Sequence, residues 1–186
     1  YCLRCSGKDG KLMNNLSIST TFIPDRKPLR EALELCKQAN FRSVEIGSNH
    51  CFEKNYDYLA DYSFQYLVHN YFPIPKDSFV LNIASFDENI RFKSIQHIKR
   101  AIDFCNKLGG HLYTFHPGFL TDPKGSNNTH NNYDFQWEEN QLSRINHVKA
   151  KDLMYRAIDD AVEYAQTKNV NIAIETIISV LLQWTL

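Results

Sequence analysis

No surplus of charge of either sign marks this chain: 21 lysines and arginines are matched by 21 aspartates and glutamates over 186 residues. An overall field that would draw it to nucleic acid or to an anionic membrane is therefore missing, and only a local basic groove could grip phosphates. No glycine-rich loop of the dinucleotide or Walker type follows any strand-like run, which removes the usual nucleotide-cofactor readings. The apolar run near the end, "TIISVLLQWTL" (Thr176 to Leu186), is too short to span a bilayer. An even set of cysteines is also missing. Cys2, Cys5, Cys36, Cys51 and Cys105 number five, and the last three fall in or beside helix-like stretches, a usage expected of a reducing, cytoplasmic compartment.

What is present suffices for one substantial core, since 43% of residues are hydrophobic and 13% aromatic. The opening "YCLRCSGKDG" has no initiating methionine, apolar signal core or cleavage-like site, so residues 1–14 are expected to be a disordered tail on a piece of a longer reading frame. Its CxxC has neither the second ligand pair of a zinc site nor the strand and helix of a thioredoxin-type motif. The Asn-x-Ser/Thr matches at Asn15 and Asn127 carry no weight without a secretory signal.

From Asn15 to Thr176 short strand-like runs alternate with longer helix-like ones. The strand candidates are "NLSIST" (15–20), "RSVEIG" (42–47), "FQYLVHN" (64–70), "HLYTFH" (111–116) and "NVNIAIET" (169–176). Leu29, Leu33 and Cys36 share one helical stripe; Ile95, Ile98, Ile102 and Cys105 share another, closed by Gly109 and Gly110. Met154, Ala157, Ile158, Ala161 and Ala165 form a third, and Cys51 to Tyr62 is a candidate fourth helix. Such alternation predicts a parallel sheet with helical crossovers. The segment from Pro117 to His147 is long and polar, and reads equally as an active-site lid or as a surface insertion.

Side-chain parity chooses between an open doubly wound sheet and a barrel. One face carries Ile18, Val44, Ile46, Tyr66, Val68, Tyr113, Phe115 and Ile172, whereas the other carries Ser17, Ser19, Ser43, Glu45, Gln65, His69, Thr114, His116 and Glu175. A doubly wound sheet needs helices, and hence apolar side chains, on both faces. A barrel covers only its outside and gathers polar groups at its C-terminal mouth. The expected fold is α/β, a partial (β/α)8 TIM barrel of about five parallel strands.

His69, His116 and Glu175 each hold the last inward position of their strand, and in a barrel such positions converge on the axis. Two imidazoles and a carboxylate suit zinc, manganese or iron(II) better than magnesium or calcium. Taken singly, each histidine reads first as a hydrogen-bonded core residue and the glutamate as a salt-bridged one; in matching register, burial of three ionisable groups is costly unless they pair or bind metal. Glu45 has the same parity, as a substrate contact, a support for the ligands, or a partner of Arg42. His50 and His111 are read as ordinary histidines.

"SVEIG", "LVHNYFP", "SIQHIKRAIDFCNKLGGHLYTFHPG" and "VNIAIET" resemble, in order and spacing, the xylose isomerase-like TIM barrels, which include sugar and sugar-phosphate isomerases and epimerases and the type IV apurinic endonucleases. The most specific motif is the helix ending in Leu-Gly-Gly followed by a strand ending in His-Pro-Gly. The resemblance implies that His69 and His116 are the histidines after the third and fourth strands, binding metal or substrate hydroxyls. It implies that Glu175 is the glutamate after the fifth, as metal ligand or as catalytic base beside a metal-polarised carbonyl. The family barrel has eight strands, so the chain resembles a truncation after the fifth, with 177–186 as an apolar end and open edges prone to self-association. The leading expectation is a metal-dependent sugar or sugar-phosphate isomerase or epimerase, with nucleic acid an improbable partner. The alternatives are an apurinic endonuclease-like zinc phosphodiesterase and an inactive fragment.

Overall fold

In the computed structural model the described residues are 16–24, 26–122 and 144–175. Five strands, β1 (Ser17–Ser19), β2 (Ser43–Ile46), β3 (Gln65–His69), β4 (Leu112–Phe115) and β5 (Asn171–Ile174), form one sheet in the order β1-β2-β3-β4-β5, all parallel. Every neighbour in sequence is a neighbour in the sheet. A doubly wound sheet reverses its strand order at a switch point; this one does not, so its crossovers run always in the same sense, as in a barrel.

Three α-helices supply crossovers: α1 (Leu29–Gln38), α2 (Glu88–Lys107) and α3 (Arg144–Thr167). α2 shows how the sequence fixes its ends. The Asp87 carboxylate accepts from the Asn89 amide at 2.8 Å, capping orphan donors at the start. At the other end Gly109 takes φ +68°, its amide bonding the Asn106 carbonyl and that of Gly110 the Cys105 carbonyl, both at 2.9 Å. That pairing closes the helix in a Schellman turn and points the chain straight into β4.

The apolar face predicted from parity is the buried one. Val44, Ile46, Val68, Tyr113 and Phe115 are each 0% exposed and pack with Leu29, Leu33, Ile98, Ile102 and Cys105 in a single cluster. α3 reaches this layer through Ala157, Ala161 and Ala165, small residues that let its backbone lie close to its neighbours. Salt bridges from Lys99 to Asp160 at 2.9 Å and from Lys168 to Asp103 at 2.7 Å rim the contact between α2 and the end of α3. On the edge strands the same parity is left uncovered: Leu16 is 54% and Ile174 39% exposed.

Two expectations are corrected. The stretch from Cys51 to Tyr62 is not an α-helix; only Asp57–Asp61 is helical, as a 3-10 turn. Its apolar residues lack a repeating stripe, so one turn suffices to bury Leu59 and Tyr56, and the Leu59 carbonyl is taken by the Tyr66 hydroxyl at 2.9 Å. The polar segment after β4 also stops sooner than expected, because α3 starts at Arg144 and takes in His147. The expectations for the CxxC tail, for most of the loop after Pro117 and for the apolar end fall outside the described residues. Among the described residues, no helix is long and apolar enough to cross a membrane.

Candidate metal centre

Parallel register brings the strand ends level. His69 pairs with Thr114 across β3 and β4, and Thr114 in turn with Ala173 across β4 and β5. His69 therefore ends its strand beside Thr114, and His116 and Glu175 lie two residues beyond Thr114 and Ala173, each one residue past its strand, with the Glu175 amide bonded to the Phe115 carbonyl at 2.9 Å. One ligand atom from each of His69, His116 and Glu175 lies within 4.8 Å of the others. This is the trio that the sequence singled out.

One hydrogen bond of the trio fixes which nitrogen of a ring donates. His116 Nδ1 lies 3.1 Å from the Glu175 carbonyl oxygen, which can only accept, so Nδ1–H donates to it and in the neutral ring the lone pair falls on Nε2. A backbone carbonyl fixing the tautomer in this way is a recurrent support for metal-binding histidines. His69 Nδ1 meets the Thr114 hydroxyl at 2.7 Å and stands 3.5 Å from Glu175 Oε1. The two imidazoles meet edge to face, centroids 5.4 Å apart.

Burial of the His69 ring lowers its pKa from the ordinary imidazole value, and His116 adds to the effect; Glu175 and Glu45 pull the other way but are outweighed. A neutral ring at physiological pH can offer a lone pair to a cation. The Glu175 side chain, 44% exposed against 16% for His69, stands at the open side. Nitrogen, nitrogen and carboxylate oxygen form a borderline donor set that fits zinc, manganese or iron(II). Donors around one tetrahedral ion with bonds of about 2.1 Å stand about 3.4 Å apart, so the trio would draw together by up to about 1.4 Å on binding.

Glu45 faces the same side of the sheet, opposite Leu67 in register, and its charge reaches His69, but it is not among the converging donors. His111 is exposed and outside the site. His50 is buried with Nε2 2.8 Å from the Thr20 hydroxyl, which also accepts the Gly47 amide, so it ties the exits of β1 and β2 together. Thr114 is the residue that strand-end reasoning passed over. Its signal was present in its inward parity, but its partnership with His69 depends on the β3–β4 register.

A parallel sheet wound in one sense, with two imidazoles and a carboxylate gathered at its C-terminal rim, is the architecture of part of a (β/α) barrel. The chain belongs to the xylose isomerase-like TIM barrel family, whose model matches residues 33–180. It is similar in fold to a D-tagatose 3-epimerase-like protein, at 21% identity and TM-score 0.60 over 90% of this chain and 58% of that one. It is likewise similar to an L-ribulose 3-epimerase, at 14% identity and TM-score 0.59 over 87% and 49% of the two chains. A D-allulose 3-epimerase from Methylomonas sp. gives 17% identity and TM-score 0.56 over 87% and 50%. A probable endonuclease 4 from Aquifex aeolicus (strain VF5) is 38% identical over 53 residues, 27% of this chain and 19% of that protein. The chain thus spans about half the length of the three epimerase structures and a fifth of the endonuclease.

Proposed function

We propose that this site serves a metal-dependent isomerase or epimerase acting on a sugar or sugar phosphate. The observation that carries the reading is the convergence of His69, His116 and Glu175 at the strand ends. A divalent ion held by these residues would supply Lewis acidity toward a substrate carbonyl. The residues themselves divide the remaining work. His116, with its proton fixed on Nδ1, and His69, kept neutral by burial, offer nitrogen lone pairs and orient the site. Glu175 is the most exposed of the trio and the one carboxylate in it, so it either completes the ligand set or removes a proton from the carbon beside the carbonyl. Glu45, on the same face, contacts substrate hydroxyls or supports His69 electrostatically.

A second reading, zinc-dependent phosphodiester cleavage at abasic DNA, is favoured by the local identity to the endonuclease. The matched charges of the chain speak against it, because a protein gripping several phosphates carries clustered cations and binds with steep salt dependence. One set of assays separates the two. Purified protein is loaded with zinc or manganese, then offered a panel of ketoses and ketose phosphates and, in parallel, an abasic duplex. Interconversion of a ketose that disappears in Glu175→Gln is the expected result. Incision of the duplex without ketose conversion would transfer the site to the second reading, and metal-loaded protein inert in both assays would count against each.

A further inference from the structure

The His116 ring ends a strand, and a strand end is held only as well as the chain that follows it. Here that chain is irregular, yet from Pro117 to Thr121 it is buried. What it packs on is a second buried irregular segment, Leu81 to Ser85, which precedes α2 and on which Asn82 and Ile83 are 0% exposed. Two irregular backbones buried against each other leave amide groups that must find partners.

Asn82 supplies them. Its Oδ1 accepts the amides of Phe119 and Ala84, both at 3.1 Å, while its Nδ2 donates to Asp122 Oδ1 at 2.8 Å. The Ile83 amide donates to the Pro117 carbonyl at 3.0 Å. Asp122 is held in turn by the Ser85 hydroxyl at 2.5 Å, and the Asn82 amide donates to the Ser94 hydroxyl in the first turns of α2 at 2.9 Å. The Asn82 side chain therefore grips the chain three and six residues beyond His116, and its backbone amide ties the same segment to α2. Gly118 makes the contact possible. It takes φ +115°, and a Cβ there would lie 2.3 Å from Asn82 Oδ1, so no side chain fits.

We propose that Asn82, braced by Asp122, is a positioning residue for His116, holding the ring so that Nδ1–H meets the Glu175 carbonyl and the Nε2 lone pair is committed. Burial of a side-chain amide with both ends satisfied is costly to assemble and rigid once assembled, which is what an oriented ligand needs. A serine or alanine at position 82 would leave the Phe119 and Ala84 amides without their acceptor, and the exit of β4 would sample other paths. The His116 ring would then lose its fixed tautomer although no group in contact with it had changed.

The consequence for metal binding rests on the proposed metal site; the consequence for the tautomer does not. Nitrogen-15 correlation spectra of the imidazoles, recorded at about pH 8 to keep unperturbed rings neutral, are compared for the unaltered protein, Asn82→Ala and Asp122→Ala, with zinc titrated afterwards. His116 is expected in the Nδ1–H form in the unaltered protein and averaged between tautomers in both variants, with His69 unchanged and zinc affinity lowered about tenfold or more. If Asn82→Ala does not fold, Asp122→Ala, which removes only the outer brace, decides alone. Folded variants that keep the Nδ1–H form of His116 would overturn the inference. Averaging in the variants together with no zinc uptake by the unaltered protein would uphold the positioning role and remove the metal reading.

Discussion

The two faces of the sheet are made by the same five strands, residue by residue in alternation, yet they are built to opposite rules. Outward, Val44, Val68 and Phe115 are sealed beneath helices and satisfied by packing alone, and Tyr113 beside them adds one hydrogen bond, from its hydroxyl to the Asn70 carbonyl. Inward, the His69 ring meets the buried Thr114 hydroxyl, stands close to the Glu175 carboxylate and feels the charge of Glu45, so this face is held by polar groups. The outer face should carry the stability of the domain, and the inner rim its chemistry. Substitutions on one face should leave the property of the other nearly untouched.

The sharpest way to break that division is from the outside. Ile98→Ala removes a fully buried side chain between α2 and the sheet and should cost about 3 kcal/mol of unfolding free energy by urea titration, with the metal affinity of the folded fraction retained. Gly118→Ala, at the exit of β4, should cost a similar amount, about 2–3 kcal/mol, but unlike Ile98→Ala should also weaken metal binding, since it displaces Asn82. On the rim the pattern should invert. His116→Ala should lower zinc affinity at least about a hundredfold, more than loss of a supporting group does, while shifting the unfolding midpoint little.

Acid sharpens the same contrast through His97, a histidine on the outer side. It is 3% exposed beneath Tyr71 and Phe79, with Nε2 donating to the Asn70 carbonyl, and burial lowers its pKa to about 4 from an unfolded value of 6.5. Because the folded pKa lies below the unfolded one, its contribution is complete above pH 6.5 and is lost as the pH falls toward 4. The loss should reach about 3 kcal/mol by the lower limit, and His97→Phe should flatten that part of the stability curve. The smallest effect belongs to the surface. Lys99→Ala, which opens the pair with Asp160, should change stability by less than about 1 kcal/mol and that little only at low salt.

How far the sequence could be read follows from this division. Period-two alternation exposes a strand, and its parity exposes which face is apolar, so the five strands, the barrel sense of winding and the convergence of His69, His116 and Glu175 were all within reach. Periodicity fails where structure is not periodic. The stretch around Leu59 has apolar residues without a stripe and became a single 3-10 turn. Asn82 and Asp122 sit in irregular segments whose pairing is set by tertiary packing, so nothing in their local sequence marks them as joined. Thr114 lay between: its face was legible, and its bond to His69 required the register.

The most direct test of the central claim is anomalous scattering at the zinc edge from crystals of the protein grown with zinc. The account predicts one strong peak about 2.1 Å from a nitrogen of His69, a nitrogen of His116 and an oxygen of Glu175. A zinc peak bound elsewhere, with His69 still on the Thr114 hydroxyl and His116 on the Glu175 carbonyl, would contradict it.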